Sequence, residues 1–204
     1  MCQGDGTGGI GGRGDALRSF IAFKPPENIE RQIGKLQAHL RSGGVGARWV
    51  RPANIHLTLK FLGDTDSTQA GAISAAMQAA VSGQPPLKLT TGGLGGFPNL
   101  TRPRVLWLAV AADIERLLTI QGLLEDHLVQ SGFPRDHRPF RGHLTIGRIR
   151  DHQRWTNRAT AFVRSMQALT AQPFTVDALI WYQSRLHPGG VEYTELARVL
   201  LNDG

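Results

Sequence analysis

Two short motifs of matching composition lie far apart in this sequence and carry its chemically most useful side chains. They are His56-Leu57-Thr58-Leu59 and His143-Leu144-Thr145-Ile146, separated by 87 residues (143 minus 56). In a β-strand the first and third residues of such a motif point to one face, so each motif presents an imidazole beside a hydroxyl. The aliphatic residues would then face the other side and anchor the strand in an apolar core.

Two imidazoles and two hydroxyls that share one cleft are suited to displacement at phosphorus. One neutral histidine can take a proton from water, while the other, protonated, supplies a proton to the departing oxygen. The hydroxyls of Thr58 and Thr145 can bind the phosphoryl oxygens. Because the ordinary pKa of histidine is near 6.5, both protonation states are accessible around neutral pH. This chemistry requires no metal, and we expect no cofactor.

A second pair of matching segments indicates that the chain is duplicated. Ile29-Glu30-Arg31 and Ile114-Glu115-Arg116 open two long helical patterns and are 85 residues apart (114 minus 29). Helical and histidine markers therefore repeat in nearly one register, which predicts two β-α-β-rich lobes related by a pseudo-twofold axis. Such an axis would turn the two histidine-threonine pairs towards each other across a shared cleft.

Hydrophobic periodicity, glycine and proline predict the elements around these motifs. The predicted strands are Phe20–Phe23, Ile55–Leu62, Leu87–Thr91 ahead of a glycine-rich turn, Val105–Val110, His143–Ile149, Phe174–Arg185 and Val191–Leu200. The predicted helices are Asn28–Leu40 with Asn28 as N-cap, Ser67–Val81, a helix capped by Asp113 that runs to Gln130, and Trp155–Ala168. The last two strands would form a hairpin through His187–Gly190.

Length and composition predict one compact domain behind a short leader. The chain has 204 residues, of which 41% are hydrophobic and 19% charged, as in ordinary globular proteins. Residues 1–17 include a glycine-rich run with few apolar side chains, so we expect a disordered leader. Residues 18–204 are expected to form a single bilobal domain. Its lobes would cover roughly 18–100 and 101–204, with terminal strands that can be exchanged between them.

Charge and cysteine content indicate the kind of partner and the compartment. The formal net charge is +7 and comes almost entirely from arginine, which favours polyanionic partners such as RNA. An arginine-rich proteome would give the same basicity. The single cysteine, Cys2, can form neither an internal disulfide nor a cysteine-rich metal site. No apolar stretch approaches membrane-spanning length. We therefore expect a cytoplasmic protein without a membrane partner.

The residues around the two motifs resemble the 2H phosphoesterase superfamily, in particular its RNA 2′,3′-cyclic phosphodiesterases, also called 2′-5′ RNA ligases. The resemblance covers about Arg18 to Leu200. It rests on Asn54–Gly63 and Arg138–Arg148, with support from Phe20–Phe23, Gly96–Pro98, Arg104–Trp107 and Tyr193–Leu196. A proline often precedes the second histidine in this family, where Gly142 stands here.

The resemblance implies an α+β, bilobal, LigT-like fold in which two antiparallel sheets line a central groove and helices lie outside. It implies hydrolysis of 2′,3′-cyclic phosphate ends of RNA, or of small cyclic nucleotides, to 2′-phosphomonoesters. In the roles it carries over, His56 is the proton donor, His143 is the proton acceptor, and Thr58 and Thr145 bind phosphate. Because the two halves are nearly symmetric, the sequence leaves an exchange of acid and base open. We expect a monomer.

Five residues beyond each histidine the two halves differ, with Phe61 in one and Arg148 in the other. Phe61 could stack on a base and Arg148 could contact the phosphate, but strict alternation would place both on the face opposite the histidines. A bulge or strand twist is needed to bring them into the groove. Two other functions stay open: an ATP-independent 2′-5′ RNA ligase acting on tRNA halves, and an RNA-binding module without turnover.

Overall fold

The computed structural model of the protein describes residues 17–150, 155–166, 171–188 and 190–202. The strands are β1 (Leu17–Phe23), β2 (Arg48–Trp49), β3 (Leu57–Thr65), β4 (Leu87–Phe97), β5 (Val105–Ala111), β6 (His143–Arg148), β7 (Pro173–Val176), β8 (Ala178–His187) and β9 (Gly190–Leu200). The helices are α1 (Glu27–Ser42), α2 (Ala70–Val81), α3 (Ile114–Gln130) and α4 (Asn157–Ser165). The leader predicted for residues 1–17 lies outside the described residues, except for Leu17 at the start of β1.

The strands form one antiparallel, hydrogen-bonded sheet in the order β7-β4-β5-β6-β3-β1-β8-β9, and β2 pairs with β6. Among the described residues, strand pairing between the halves β7-β4-β5-β6 and β3-β1-β8-β9 occurs only between β3 and β6, where Leu57 lies opposite Leu144. The predicted α+β class and antiparallel pairing are confirmed. The two sheets expected from the resemblance are the two halves of this continuous sheet.

A single apolar core holds the strands that carry the two motifs. Leu57 and Leu144 are fully buried and share one cluster with Ile33 of α1, Met77 of α2 and Leu124 of α3. These leucines occupy the motif positions predicted to face the core. Their burial leaves the histidines and threonines on the other face of the sheet.

Two strand predictions are wrong. The turn predicted after Thr91 is part of β4, which continues to Phe97 and pairs with β5 beyond a register shift. Glycine is needed in this stretch, because a Cβ at Gly95 would lie 2.1 Å from the Trp107 ring. The single strand predicted from Phe174 is two strands separated by Asp177: β7 pairs with β4, and β8 pairs with β1.

One predicted helix cap is also wrong, and the other has the predicted position but no side-chain cap hydrogen bond. Helix α1 begins at Glu27, so Pro26 rather than Asn28 occupies the N-cap position. Asp113 does precede α3, but its side chain makes no cap hydrogen bond. Its carboxylate instead accepts hydrogen bonds from the Lys88 backbone N–H at 2.9 Å and from Arg116 at 3.0 Å. Asp113 therefore links the start of α3 to β4.

Candidate active site

The two histidines are held by the same local contact, one in each half of the sheet. His56 Nδ1 lies 2.8 Å from the carbonyl oxygen of Asn54, and His143 Nδ1 lies 2.7 Å from that of Arg141. Because a carbonyl oxygen only accepts hydrogen bonds, Nδ1 carries the proton in each ring. Each neutral imidazole therefore has Nε2 free to act as a base, and each protonated one has Nε2–H free to act as an acid.

The sheet register brings both histidine-threonine pairs to one place. With Leu57 opposite Leu144, the antiparallel register puts His56 across from Thr145 and Thr58 across from His143. Cross-strand neighbours have Cβ atoms roughly 5 Å apart, and diagonal neighbours lie at about 7–8 Å. The two imidazoles therefore occupy one diagonal of a four-residue cluster and the two threonines occupy the other. All four side chains are half-buried.

A β-bulge at the same point of each half turns the following residue into the groove. In β3, Ile21 faces Lys60 and Ala22 faces Thr58, so Leu59 is the extra residue. Both Leu59 and Lys60 are buried, whereas Phe61 is 68% exposed. The shift in side-chain alternation places Phe61 on the face of His56 and Thr58. The strand irregularity that the sequence analysis required for Phe61 is present.

The second half repeats this bulge at the position 87 residues later. In β6, Leu106 faces Gly147 and Trp107 faces Thr145, so Ile146 is the extra residue. Ile146 is buried and Arg148 is exposed, which places Arg148 on the face of His143. The structure thus gathers His56, Thr58, His143, Thr145, Phe61 and Arg148 on one face of the sheet.

Aromatic rings surround both imidazoles, but unequally. His56 lies 4.5 Å from the ring of Phe20 and meets Tyr193 edge-on at 5.2 Å between ring centroids. His143 meets Phe97 edge-on at 5.0 Å and lies 6.1 Å from Trp107. Phe20 also contacts Phe61 at 6.1 Å. The apolar packing is therefore tighter around His56 than around His143.

Burial and neighbouring charge lower the pKa of both histidines. The pKa of His56 is lowered to about 4, mainly by burial; the hydrogen bond to the Asn54 carbonyl opposes this shift, and the charges of His143 and Arg148 contribute to it. Burial also lowers the pKa of His143, with a smaller contribution from Arg148 and an opposing one from the Arg141 carbonyl. Each imidazolium therefore disfavours the other, so over a range of pH the pair holds a single proton.

A pocket of about 280 Å³ opens beside His143. Its walls include Phe97, Trp107, Leu118, Phe140 and Arg141. The pocket is mainly apolar, with the Arg141 side chain exposed at its edge. On the His56 side, the rings of Phe20, Tyr193 and Phe61 occupy the surroundings of the imidazole.

The sequence analysis missed one residue that organises the site, Asn54. Its carbonyl oxygen accepts the His56 hydrogen bond, and its side-chain Nδ2 donates to the Val191 carbonyl at 2.8 Å. This bond ties the turn before β3 to the β8–β9 hairpin that carries Tyr193. An asparagine two residues before a motif histidine was visible in the sequence, but its partner lies 137 residues away.

The chain matches one family model and a set of named relatives. The model described as LigT like Phosphoesterase matches twice, over residues 23–107 and 108–193. A Thermotoga maritima protein named RNA 2′,3′-cyclic phosphodiesterase is 32% identical over 183 residues, covering 88% of this chain and 93% of its own length. A protein of the same name from Archaeoglobus fulgidus is 31% identical over 180 residues, covering 88% of this chain and 98% of its own.

A solved structure agrees with these sequence matches. The crystal structure of E. coli LigT complexed with 3′-AMP aligns with a TM-score of 0.67 and 27% sequence identity. The alignment covers 92% of this chain and 99% of that one. Within the part of this chain that the structure describes, no helix is both long and apolar enough to cross a membrane.

Proposed function

The chain belongs to the LigT-like phosphoesterase family, and from this premise we propose that it hydrolyses 2′,3′-cyclic phosphate ends of RNA to 2′-phosphomonoesters. One observation carries the proposal. The two imidazoles, each with a free Nε2 atom, occupy one diagonal of a cluster whose other diagonal holds the two threonines, and the charge of His143 lowers the pKa of His56. This arrangement supplies an acid, a base and phosphoryl-binding hydroxyls around one phosphorus atom.

In the proposed reaction His143 is the base and His56 is the acid. A water oxygen attacks phosphorus while His143 Nε2 takes its proton. The bond between phosphorus and the 3′ oxygen breaks, and His56 Nε2–H gives its proton to that oxygen. The product carries a 2′-phosphate and a free 3′ hydroxyl. The hydroxyls of Thr58 and Thr145 and the guanidinium of Arg148 bind the phosphoryl oxygens, where negative charge grows. The exposed ring of Phe61 offers a surface on which a base can stack.

The bound substrate must promote protonation of the acid, because the pKa of each histidine in the free protein is lowered from the ordinary value of 6.5. A cyclic phosphate carries one negative charge, which raises the pKa of an adjacent imidazole. This rise in pKa allows His56 to be protonated in the complex, where it can act as the acid. Arg148 lowers the pKa of both histidines, so its charge does not by itself distinguish the base from the acid.

Ligation of RNA ends to form a 2′-5′ linkage is the second candidate activity. The same groups can activate a ribose 5′ hydroxyl in place of water, because hydrolysis and ligation share the cyclic phosphate and the leaving 3′ oxygen. The pocket beside His143 favours this candidate, since an attacking nucleoside needs space next to the base. Its volume of about 280 Å³ and its aromatic walls provide room for a ring beside His143.

Product analysis tests the proposed function. The protein is incubated with 2′,3′-cyclic nucleotides, with RNA oligonucleotides ending in a cyclic phosphate, and with paired tRNA halves, each with and without EDTA. We expect 2′-phosphomonoesters as the main product and no loss of rate with EDTA. Ligated tRNA with little hydrolysis would support the second candidate. RNA binding without any turnover would contradict both. Cytoplasmic location and a monomeric state stay predictions from the sequence.

A further inference from the structure

Two arginines face each other at the point where the halves of the sheet separate. Strand β5 pairs with β6 along its length, from His143 to Arg148, so β3 and β2 share the other edge of β6. Strand β3 pairs with that edge at Leu144, and β2 pairs with it at Gly147 and Arg148. Arg48 of β2 lies opposite Arg148 in this ladder and projects from the same face of the sheet.

This pairing is unfavourable by itself, since like charges directly opposite one another in a sheet destabilise it. Both side chains are exposed. Among the residues that the structure describes, neither guanidinium forms an ion pair with a carboxylate. Within the part of the chain that the structure describes, two positive charges without a carboxylate partner therefore lie side by side at the end of the groove.

The surrounding fold fixes the position of Arg48 instead of letting β2 move away. The buried side chain of Gln37 donates to the carbonyl oxygens of Val50 at 2.7 Å and Ile146 at 2.9 Å. Trp49 packs over Gly147, where an added Cβ would come within 3.2 Å of its ring. Helix α1 and the β6 bulge thus hold β2 in place from two sides.

Arg148 connects this pair to the reacting groups. Its charge lowers the pKa of His56, His143 and Tyr193, so it is close to the imidazoles as well as to Arg48. An anion bound between the two guanidinium groups would therefore lie next to the reacting phosphate. Paired guanidinium groups are well suited to bind phosphate through several charge-assisted hydrogen bonds.

We propose that Arg48 and Arg148 form a second anion subsite, which binds the phosphate on the 5′ side of the terminal nucleotide, and that Arg148 lies between the two phosphates and donates to both. This inference rests on the proposed function and specifies its substrate class. The enzyme acts on RNA chains or 5′-phosphorylated nucleotides in preference to cyclic nucleotides that lack a second phosphate.

The test compares four substrates that differ only in the second phosphate. They are a nucleoside 2′,3′-cyclic phosphate, the same compound with a 5′-phosphate, a dinucleotide with the same cyclic end, and that dinucleotide with a neutral methylphosphonate linkage. The measured quantity is the kcat/KM of each of the other three substrates divided by that of the first. Wild type, Arg48→Ala, Arg48→Lys and the charge-matched control Arg31→Ala are compared; Arg31 is an exposed residue of α1 paired with Glu27.

We expect Arg48→Ala to lower this ratio about tenfold, the effect of losing one charged hydrogen-bonding partner. Arg48→Lys should recover part of the ratio, and Arg31→Ala should match wild type. The methylphosphonate dinucleotide should give the same ratio in all four proteins. An unchanged ratio in Arg48→Ala, or an equal fall with the neutral linkage, would overturn the subsite. A wild-type protein that hydrolyses none of the four substrates would instead contradict the proposed function.

Discussion

The two halves of the sheet present their histidines in matching backbone settings but different surroundings. In both, Nδ1 binds the carbonyl two residues earlier, and a bulge follows three residues later. His56 is enclosed by aromatic rings and has a pKa of about 4. His143 adjoins a pocket and shares its strand with Arg148.

The same backbone bulge is followed by a different residue in each half of the sheet. Lys60 follows the extra residue in β3, and its buried ammonium binds Glu125 at 2.7 Å and the Pro134 carbonyl at 2.6 Å. Gly147 is its counterpart in β6 and makes room for Trp49. The duplicated backbone positions both histidines alike, and the residues around them differ between the halves.

The largest effect on activity should come from removing either histidine. His56→Ala and His143→Ala should each lower kcat for a 2′,3′-cyclic nucleotide by roughly 10²–10⁴-fold, the usual contribution of a general acid or base. His127→Ala on α3 is the control. A substrate with sulfur at the 3′ position has a leaving group that needs little protonation, so it should restore turnover in His56→Ala but not in His143→Ala. The reverse pattern would mean that acid and base are exchanged.

The next largest effect on activity should come from replacing Arg148 or Phe61, which lie five residues after the histidines. Arg148→Ala should lower kcat/KM by about 10–100-fold, because one cationic partner of the phosphate is lost. It should also move the pH optimum upward, since Arg148 lowers the pKa of both histidines. Phe61→Ala should raise KM by up to about tenfold through lost base stacking and leave the pH optimum in place. Equal effects of the two variants on the pH profile would contradict this division.

The pH dependence should show that the pair carries one proton. Below the lower pKa both histidines are protonated and no base exists, while above the upper pKa both are neutral and no acid exists. Since both pKa values are lowered from 6.5, the bell-shaped profile of kcat/KM should peak below pH 6.5. The profile of kcat should lie at higher pH, because bound phosphate stabilises the imidazolium. A kcat/KM optimum above pH 7 would contradict the lowered pKa values.

The smallest effect on activity should come from replacing Gly147, which lies in the bulge of β6. In Gly147→Ala the added methyl group would approach Trp49 to 3.2 Å and Ala47 to 3.3 Å. We expect a loss of about 1 kcal/mol in the free energy of unfolding and a few-fold lower kcat/KM as Arg148 shifts. Gly71→Ala on α2, where an added Cβ meets nothing within 4 Å, should keep full activity and gain slight stability. Chemical denaturation and steady-state kinetics of both variants measure these effects.

The sequence was sufficient to predict the parts of the site that follow from local spacing. The histidine-x-threonine units need only strand alternation, and the buried Leu57 and Leu144 follow from the same rule. The two bulges depend on how β3 and β6 pair with distant strands, so their effect on Phe61 and Arg148 could not be decided from spacing. The end of β4 could not be predicted for a similar reason, because Gly95 makes room for the Trp107 ring of the neighbouring strand β5.

The most direct test of the account compares kcat of His56→Ala, His143→Ala and the double variant on one 2′,3′-cyclic nucleotide. If both imidazoles act on the same phosphorus in one step, the double variant should be no more than about threefold slower than the slower single variant, because either loss already removes the concerted reaction. If the two losses multiply in the double variant, the histidines act independently, and the central claim is wrong.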